Sequence, residues 1–211
     1  MTKRQSPIFV TDGIYRLLVP FEELFTTVYI EKRDTGVGII DSATYPTDAE
    51  RYILPALYEL SVDPSEVEYI ALTHRHGDHA GGALRLSELL PAARLYAHPL
   101  ERISYASPLC DGETVGGLVA LHLPGHTAGT IAFLDPKSGT LLSGDSLQLR
   151  GVGKYRNGVT LAEEYRHSIE RLRTLGIKRI VAAHEYDPLG SIAEGEAAVS
   201  QYLDECLAAI S

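Results

Sequence analysis

The sequence predicts an α+β fold in which helices cover two β-sheets. Short β-rich runs separated by turn residues fill the first quarter of the chain, and strand and helix patterns alternate after it. With 211 residues, 45% hydrophobic and 22% charged, the chain can bury a large core. Its sequence has no repeat, low-complexity tract or composition shift that would mark a boundary, so a single domain over residues 1–211 is predicted.

The N-terminal quarter is predicted to be a β-meander. Its strand-like runs cover residues 8–10, 14–19, 26–31 and 36–41. Asp12 and Gly13 are typical of a hairpin turn, and Pro20 is expected to end the second strand.

The rest of the chain is predicted to alternate between helices and strands. A helix over residues 47–60 is indicated by apolar side chains near one face, at Ile53, Leu54, Leu57 and Leu60. Further strands are predicted at residues 67–73, 94–98, 115–123, 130–134, 140–143 and 179–183. Further helices are predicted at residues 83–90, 99–105, 161–175 and 192–210.

The densest chemical signal lies between the strand at 67–73 and the helix at 83–90. Within six residues the chain has His74, His76, Asp78 and His79. One such residue alone is more simply interpreted as a hydrogen-bonded turn histidine or a helix-capping aspartate. Together, neutral imidazoles and a carboxylate are the ligands that zinc and similar divalent ions prefer, so a metal site on a strand-to-helix turn is predicted.

Three more candidate ligands follow predicted strands. His126 lies in the glycine-rich turn Pro-Gly-His-Thr, Asp145 in Ser-Gly-Asp, and His184 after the strand at 179–183. Each signal is weak alone, but the ends of neighbouring strands bring side chains to one edge of a sheet.

In this order, the motifs resemble the metallo-β-lactamase superfamily over nearly the whole chain. The resemblance implies a four-layer αββα sandwich with a dinuclear metal site at the edge between the sheets. It assigns seven ligands by position: His74, His76 and His126 to the first metal, Asp78, His79 and His184 to the second, and Asp145 as the bridge.

The expected cofactors are two divalent metal ions. Imidazole and carboxylate ligands favour zinc, and they also suit iron or manganese. A metal-bridging hydroxide would be the nucleophile, since a metal lowers the pKa of its bound water to about 7. Asp78 is the predicted catalytic residue, which orients the hydroxide and passes a proton to the leaving group.

Asp41, at the end of the strand at 36–41, matches a family position that accepts a hydrogen bond from a ligand imidazole. Capping of its own turn is an equal alternative. The remaining histidines match no ligand position: His98 and His122 are interpreted as strand residues, and His167 as a helix-surface residue.

The predicted reaction is hydrolysis of a small ester, thioester or lactone. Asp145 argues against the antibiotic-hydrolysing branch, where that position usually holds another residue. Glyoxalase II enzymes share the ligands but carry a C-terminal helical domain for glutathione, for which the sequence after His184 is expected to be too short. Quorum-quenching lactonases share the ligands too, so the substrate stays open.

Two other functional classes remain as alternatives. One is a mononuclear iron oxidoreductase resembling the persulfide dioxygenases of the same superfamily. The other is a noncatalytic binding protein on the same scaffold.

Candidate substrate contacts come from two loops. Residues 147–159 are rich in glycine and cations, and Tyr155 and Arg156 are predicted to face an acidic or amide-bearing substrate. A solvated connector is the alternative for this loop. Tyr186, in the turn after His184, is predicted to line the pocket.

The net charge of −9, with a pI near 5.3, disfavours nucleic acid and anionic membranes as partners, which leaves a small-molecule substrate. The sequence has no apolar segment typical of a signal peptide or a membrane span, so a cytoplasmic location is predicted. Cys110 and Cys206 are expected to be free thiols. The sequence leaves the oligomeric state open.

Overall fold

The computed structural model describes residues 5–34, 36–150 and 158–210, which form two mixed β-sheets and five α-helices. Seven strands form the first sheet, in chain order: β1 Ile8–Thr11, β2 Ile14–Phe21, β3 Leu24–Arg33, β4 Gly36–Ile40, β5 Val67–Ala71, β6 Arg94–Ala97 and β7 Ser107–Pro108. The strands β1 to β4 pair antiparallel, as the predicted meander requires, and β4 to β7 pair in parallel.

Six strands form the second sheet, in the order β13-β12-β11-β10-β9-β8. They are β8 Thr114–Val115, β9 Leu118–His122, β10 Ile131–Asp135, β11 Thr140–Gly144, β12 Arg179–Ala182 and β13 Ile192–Glu194. The strands β11 and β12 pair in parallel, and the connection between them contains a helix, as a parallel pair requires. The other neighbouring strands in this sheet pair antiparallel.

The five helices are α1 Leu54–Glu59, α2 Gly77–Ala80, α3 Ala83–Leu89, α4 Ala162–Leu172 and α5 Glu196–Ala208. A π-helical turn at Ala49–Ile53 precedes α1, and 3₁₀ turns lie at Pro64–Glu66 and Pro99–Glu101. The helix α4 buries Tyr165, Ile169 and Leu172, which lie four and three residues apart and therefore on one face.

Three apolar layers separate four layers of secondary structure. Residues of α1 and α3, such as Leu57 and Leu86, pack on one face of the first sheet. Tyr29 and Phe133 belong to the layer between the two sheets. A third layer, which includes Tyr202, joins the second sheet to α4 and α5. The predicted α+β class and αββα sandwich are therefore confirmed.

Several predicted boundaries were wrong. The strand β2 continues through Pro20 to Phe21, and the strand predicted at 115–123 is two strands joined by a turn in which Gly116 has a φ of 57°. The helix predicted from residue 192 begins at Glu196, because Ile192–Glu194 pairs with β12. The short helix predicted at 99–105 is limited to the turn Pro99–Glu101.

A buried polar cluster around Glu31 joins the two sheets. Glu31 lies on β3 and is 1% exposed. Its carboxylate accepts hydrogen bonds from the Tyr69 hydroxyl at 2.5 Å, the Gly117 N–H at 3.0 Å and the Arg33 Nε–H at 2.6 Å. Because Gly117 belongs to the β8–β9 turn, this carboxylate connects the first sheet to the second.

Among residues 5–34, 36–150 and 158–210, the longest helices fall short of the length and apolar character needed to span a bilayer.

The two cysteines are free, as predicted, but their surroundings differ: Cys110 is exposed and Cys206 is buried on α5. Burial raises the pKa of the Cys206 thiol to about 12. Because the thiolate is the reactive form, we expect iodoacetamide to label only Cys110 in the native protein at pH 8, and both cysteines after denaturation. Mass spectrometry counts the labels. Native labelling of a Cys110→Ser variant would contradict the buried position of Cys206.

Candidate metal centre

Seven histidine and aspartate side chains from both sheets converge at one edge of the sandwich. His74 and His76 lie between β5 and α2, and Asp78 and His79 lie on α2 itself. From the second sheet, His126 follows β9, Asp145 follows β11 and His184 follows β12. The polar residues therefore lie just after the ends of strands. The chain can turn away from the sheet there without breaking the backbone hydrogen bonds between strands.

The donor atoms form three groups, each with all of its atoms within 4.8 Å of one another. The groups are His74, His76 and His126; Asp78, His79 and His184; and His74, His79 and Asp145. The first two groups have the same members as the two ligand sets that the resemblance implies, and the third contains the implied bridge.

Hydrogen bonds to one ring nitrogen define which nitrogen faces the centre. The Nδ1–H of His126 donates to the Gly158 carbonyl at 2.8 Å, and the Nδ1–H of His184 donates to the Phe25 carbonyl at 2.7 Å. His79 Nδ1–H donates to the Asp41 carboxylate at 2.7 Å. Since these acceptors cannot donate, Nδ1 carries a proton in each of the three rings, and Nε2 is the atom left to face the centre and bind a metal ion.

The ring nitrogens at the centre point at one another. His126 Nε2 lies 3.1 Å from His74 Nε2 and 2.8 Å from His76 Nδ1. His79 Nε2 lies 3.3 Å from His184 Nε2. Ring nitrogens that converge in this way need a shared proton or a cation between them, and five imidazoles with two carboxylates form a donor set that fits divalent metal ions.

Asp145 lies between the two groups. Its Oδ1 atom is 3.3 Å from His184 Nε2 and 3.5 Å from His79 Nε2, whereas its Oδ2 atom is 3.4 Å from His126 Nε2. Each oxygen of this one carboxylate therefore faces a different group, which is the geometry that a bridging ligand needs.

The pKa shifts differ between the two groups. Burial, reinforced by neighbouring imidazoles, holds the pKa of His74 well below its usual value, so its ring is neutral. Burial also acts to lower the pKa of His79, but the carboxylates of Asp41 and Asp145 outweigh it and raise that pKa well above the usual value. The carboxylate-rich side thus attracts positive charge.

The Asp41 side chain contacts the ligand segment. Its Oδ1 atom accepts from the Thr73 N–H at 2.7 Å, and its Oδ2 atom accepts from His79 Nδ1–H. The Thr73 hydroxyl donates to the same carboxylate at 2.9 Å and lies 3.1 Å from His74 Nδ1. Asp41 thereby orients His79 directly and His74 through Thr73.

Tyr186 is 5% exposed, and its hydroxyl lies 3.3 Å from Asp145 Oδ1. Gln148, which the sequence did not single out, donates from Nε2 to the Tyr186 hydroxyl at 3.0 Å and to the Asp145 carbonyl at 3.2 Å. A glutamine in a glycine-rich connector carries no pattern that would have identified this contact. The predicted substrate residues Tyr155 and Arg156 lie outside the described residues.

The β2–β3 hairpin also reaches the centre. The Phe21 ring is 6.5 Å from the His184 ring, and Phe25 supplies the carbonyl that orients this histidine. No sequence pattern points to the Phe25 contact, because a carbonyl is common to all residues.

The other histidines lie outside the metal-ligand groups found among the described residues. The rings of His98 and His122 stack with centroids 4.0 Å apart and an angle of 10° between their planes. His122 lies on β9 as predicted, whereas His98 caps the turn Pro99–Glu101. His167 is exposed on α4.

The fold and the converging ligands define a metal-binding protein built on an αββα sandwich. The model of the metallo-β-lactamase superfamily matches residues 23–109 and 108–184. The chain therefore belongs to this superfamily, as the motifs indicated.

Relatives of known sequence or structure agree with this assignment. A hydroxyacylglutathione hydrolase of Synechococcus is 36% identical over 154 residues, which cover 69% of this chain and 60% of that protein. The structure of TTHA1623 in a di-iron-bound form has a TM-score of 0.65 at 27% identity and covers 84% of this chain and 93% of that one. A metallo-β-lactamase family protein of Thermus thermophilus has a TM-score of 0.73 at 24% identity, covering 94% of this chain and 79% of that one. The chain spans less than two thirds of the length of curated relatives such as the Synechococcus hydrolase.

Replacing Asp41 with asparagine tests how the ligands are oriented. Both Asp41 oxygens accept hydrogen bonds, and an amide offers one oxygen, so we expect Asp41→Asn to weaken metal binding about 10- to 100-fold. Competition with a chromophoric chelator measures the affinity. The buried Asp135, which accepts hydrogen bonds from Lys137 N–H at 3.2 Å and from Ser138, serves as the control in Asp135→Asn. Equal affinities in the two variants would contradict the role of Asp41.

Proposed function

We propose that the protein is a dinuclear metal-dependent hydrolase that acts on a small ester, thioester or lactone. The observation that carries this proposal is the division of seven donors into two groups that share the Asp145 carboxylate. A mononuclear centre would need neither the second group nor a carboxylate with one oxygen toward each.

One ion would be held by His74, His76 and His126, and the other by Asp78, His79 and His184. The Asp145 carboxylate would bind both ions. Bound there, two divalent ions would supply an activated water at neutral pH and polarise the scissile carbonyl. Zinc is the proposed metal because imidazoles dominate the donor set. The di-iron form of TTHA1623 keeps iron as an alternative, and manganese also suits such ligands.

Asp78 is proposed as the catalytic carboxylate. Its side chain is 20% exposed, against 8% for Asp145, so it faces the open side of the centre. Although burial acts to raise the pKa of Asp78, His79 and His184 lower it below the usual range, so the carboxylate is ionised. From this position it would orient the attacking water and transfer a proton to the leaving group.

Thioesters are the first substrates to test, because hydroxyacylglutathione hydrolases are among the relatives. Esters and lactones undergo the same attack on an acyl carbon, so they belong in the same panel. Tyr155 and Arg156 remain proposed substrate contacts. For Tyr186, burial and the contact with Asp145 support an action through that carboxylate in place of direct contact with substrate.

The two alternatives make different demands. A persulfide-dioxygenase-like enzyme would use one iron and consume oxygen, whereas a noncatalytic protein would bind metal without turnover. The intact ligand set supports a catalyst. A small-molecule substrate, the exclusion of nucleic acid and membranes, and a cytoplasmic location remain part of the proposal.

Metal analysis tests the dinuclear centre. We expect the protein to hold about two zinc or mixed divalent ions per chain, and Asp145→Ala to lose one or both, because the variant lacks the carboxylate that the two groups share. Inductively coupled plasma mass spectrometry on protein purified without added metal gives the count. Asp135→Asn, outside the ligand groups, should keep the wild-type count.

A single iron unaffected by Asp145→Ala, with oxygen uptake on a persulfide, would replace the hydrolase with the dioxygenase. A metal-loaded protein that hydrolyses no member of a thioester, ester and lactone panel would favour the noncatalytic protein.

The role of Tyr186 can be separated from substrate binding. If its hydroxyl acts through Asp145, Tyr186→Phe should lower kcat and leave KM close to the wild-type value. Because the acceptor is the ionised Asp145 carboxylate, the loss of this hydrogen bond corresponds to an effect on the order of 10- to 100-fold. Steady-state kinetics on the best thioester measures both constants. Tyr202→Phe removes another buried hydroxyl, bonded to the Gly190 carbonyl at 3.2 Å, and is the control. A change confined to KM would instead assign Tyr186 to the substrate.

A further inference from the structure

Glu101 is a buried acid close to the metal centre but outside the ligand groups. It ends the 3₁₀ turn Pro99–Glu101 that follows β6, and it is 2% exposed. Burying a carboxylate is costly unless hydrogen bonds compensate it, so the contacts of Glu101 indicate what it does.

The two oxygens of Glu101 bind two different chain segments. Oε2 accepts from the Arg75 N–H at 2.8 Å, and Arg75 lies between His74 and His76. Oε1 accepts from the Gly129 N–H at 2.8 Å and from the Thr127 hydroxyl at 2.5 Å. Thr127 directly follows the third histidine of the first metal group, His126.

The ion pair with Arg75 does not explain this position. The Arg75 guanidinium is 3.5 Å from Glu101 Oε2, and its side chain is 50% exposed. Because the arginine of this pair is half exposed, water screens its charge and weakens its attraction to the buried carboxylate. The backbone N–H of Arg75, in contrast, is held at a distance typical of a strong hydrogen bond to a charged acceptor.

Close packing fixes the carboxylate against the second segment. A Cβ atom added to Gly129 would lie 2.7 Å from Glu101 Oε1 and 2.8 Å from the Glu101 nitrogen. Only glycine fits there, so the loop carrying His126 approaches the Pro99–Glu101 turn as closely as the backbone permits.

We infer that Glu101 is a positioning residue that holds His74, His76 and His126 in the geometry that binds a metal ion. It ties the segment after β5, in the first sheet, to the segment after β9, in the second. This inference rests on the proposed metal centre. A carboxylate is required, because three donors share its two oxygens, whereas glutamine would turn an N–H₂ group toward one of them.

The test is metal affinity in a Glu101→Gln variant. We expect zinc binding to the three-histidine group to weaken about 10- to 100-fold, with the Asp78–His79–His184 group less affected. A stepwise zinc titration against a chromophoric chelator resolves the two affinities. Cobalt(II) substitution, followed by its visible absorption spectrum, reports a changed ligand geometry independently of activity.

The matched control is Glu31→Gln. Glu31 is equally buried and also accepts hydrogen bonds from a hydroxyl and a backbone N–H, but its partners are Tyr69 and Gly117, outside the ligand segments. This variant should lower the thermal midpoint of the metal-free protein and leave both zinc affinities unchanged. A general loss of stability is thereby separated from a specific loss of metal geometry.

The outcomes of this experiment distinguish the inference from the proposed function. Wild-type protein that binds fewer than two ions would overturn the dinuclear proposal before any variant is compared. Two ions in the wild type and an unchanged titration in Glu101→Gln would overturn the inference alone, as would equal losses in both glutamate variants. Should Glu101→Gln fail to fold, Thr127→Val removes one donor to the same carboxylate. A smaller loss of affinity at the three-histidine group would then support the inference, and an unchanged affinity would overturn it.

Discussion

The structure depends on holding several ring nitrogens face to face. A ring nitrogen is stabilised by a cation in front of it and destabilised by the lone pair of another nitrogen. Hydrogen bonds to the opposite nitrogen of each ring must therefore hold the arrangement in place. The hydrogen-bond acceptor for His126 and for His184 is a backbone carbonyl, and the acceptor for His79 is the Asp41 carboxylate. Because each partner accepts the Nδ1 proton, it fixes the tautomer together with the orientation of the ring.

The two sheets must also keep a fixed separation, and β3 provides it. Successive inward side chains of this strand bond to the second sheet: the Thr27 hydroxyl donates to the Ala183 carbonyl at 2.8 Å, the Tyr29 hydroxyl donates to the Val181 carbonyl at 2.9 Å, and Glu31 accepts from the Gly117 N–H. Their spacing of two residues is the period of a strand, so one face of β3 carries the whole row. Beside this row, the Phe25 backbone carbonyl accepts the Nδ1–H of the ligand His184, whereas Glu31 lies toward the opposite end of the strand.

The ligands were predictable and their supports were not. His74 to His79 form a local motif, and His126, Asp145 and His184 follow strands that the sequence also reveals. Contacts of Gln148 and Phe25 are made across long sequence separations, for which a single sequence has no signal.

The rule that proline ends a strand failed at Pro20 because of the sheet topology. Strand β1 pairs with β2 only at residues 14 to 16, so the missing N–H of Pro20 faces no partner in β1. Ile192–Glu194 was predicted as the start of a helix and is a strand because it pairs with the edge of β12, a contact that the local sequence does not show.

His74 belongs to two of the three donor groups, and both of its chain neighbours are fixed by buried acids. Asp41 accepts the N–H of Thr73, and Glu101 accepts the N–H of Arg75. With the ligands Asp78 and Asp145, these acids place four carboxyl groups around the centre, so this edge of the sandwich favours bound cations. Hydrogen bonds compensate the burial of the two acids that are not ligands: Asp41 accepts from His79 as well as Thr73, and Glu101 accepts from Gly129 as well as Arg75. The carboxyl groups and the geometry of the donors thus both favour bound cations at this edge of the sandwich.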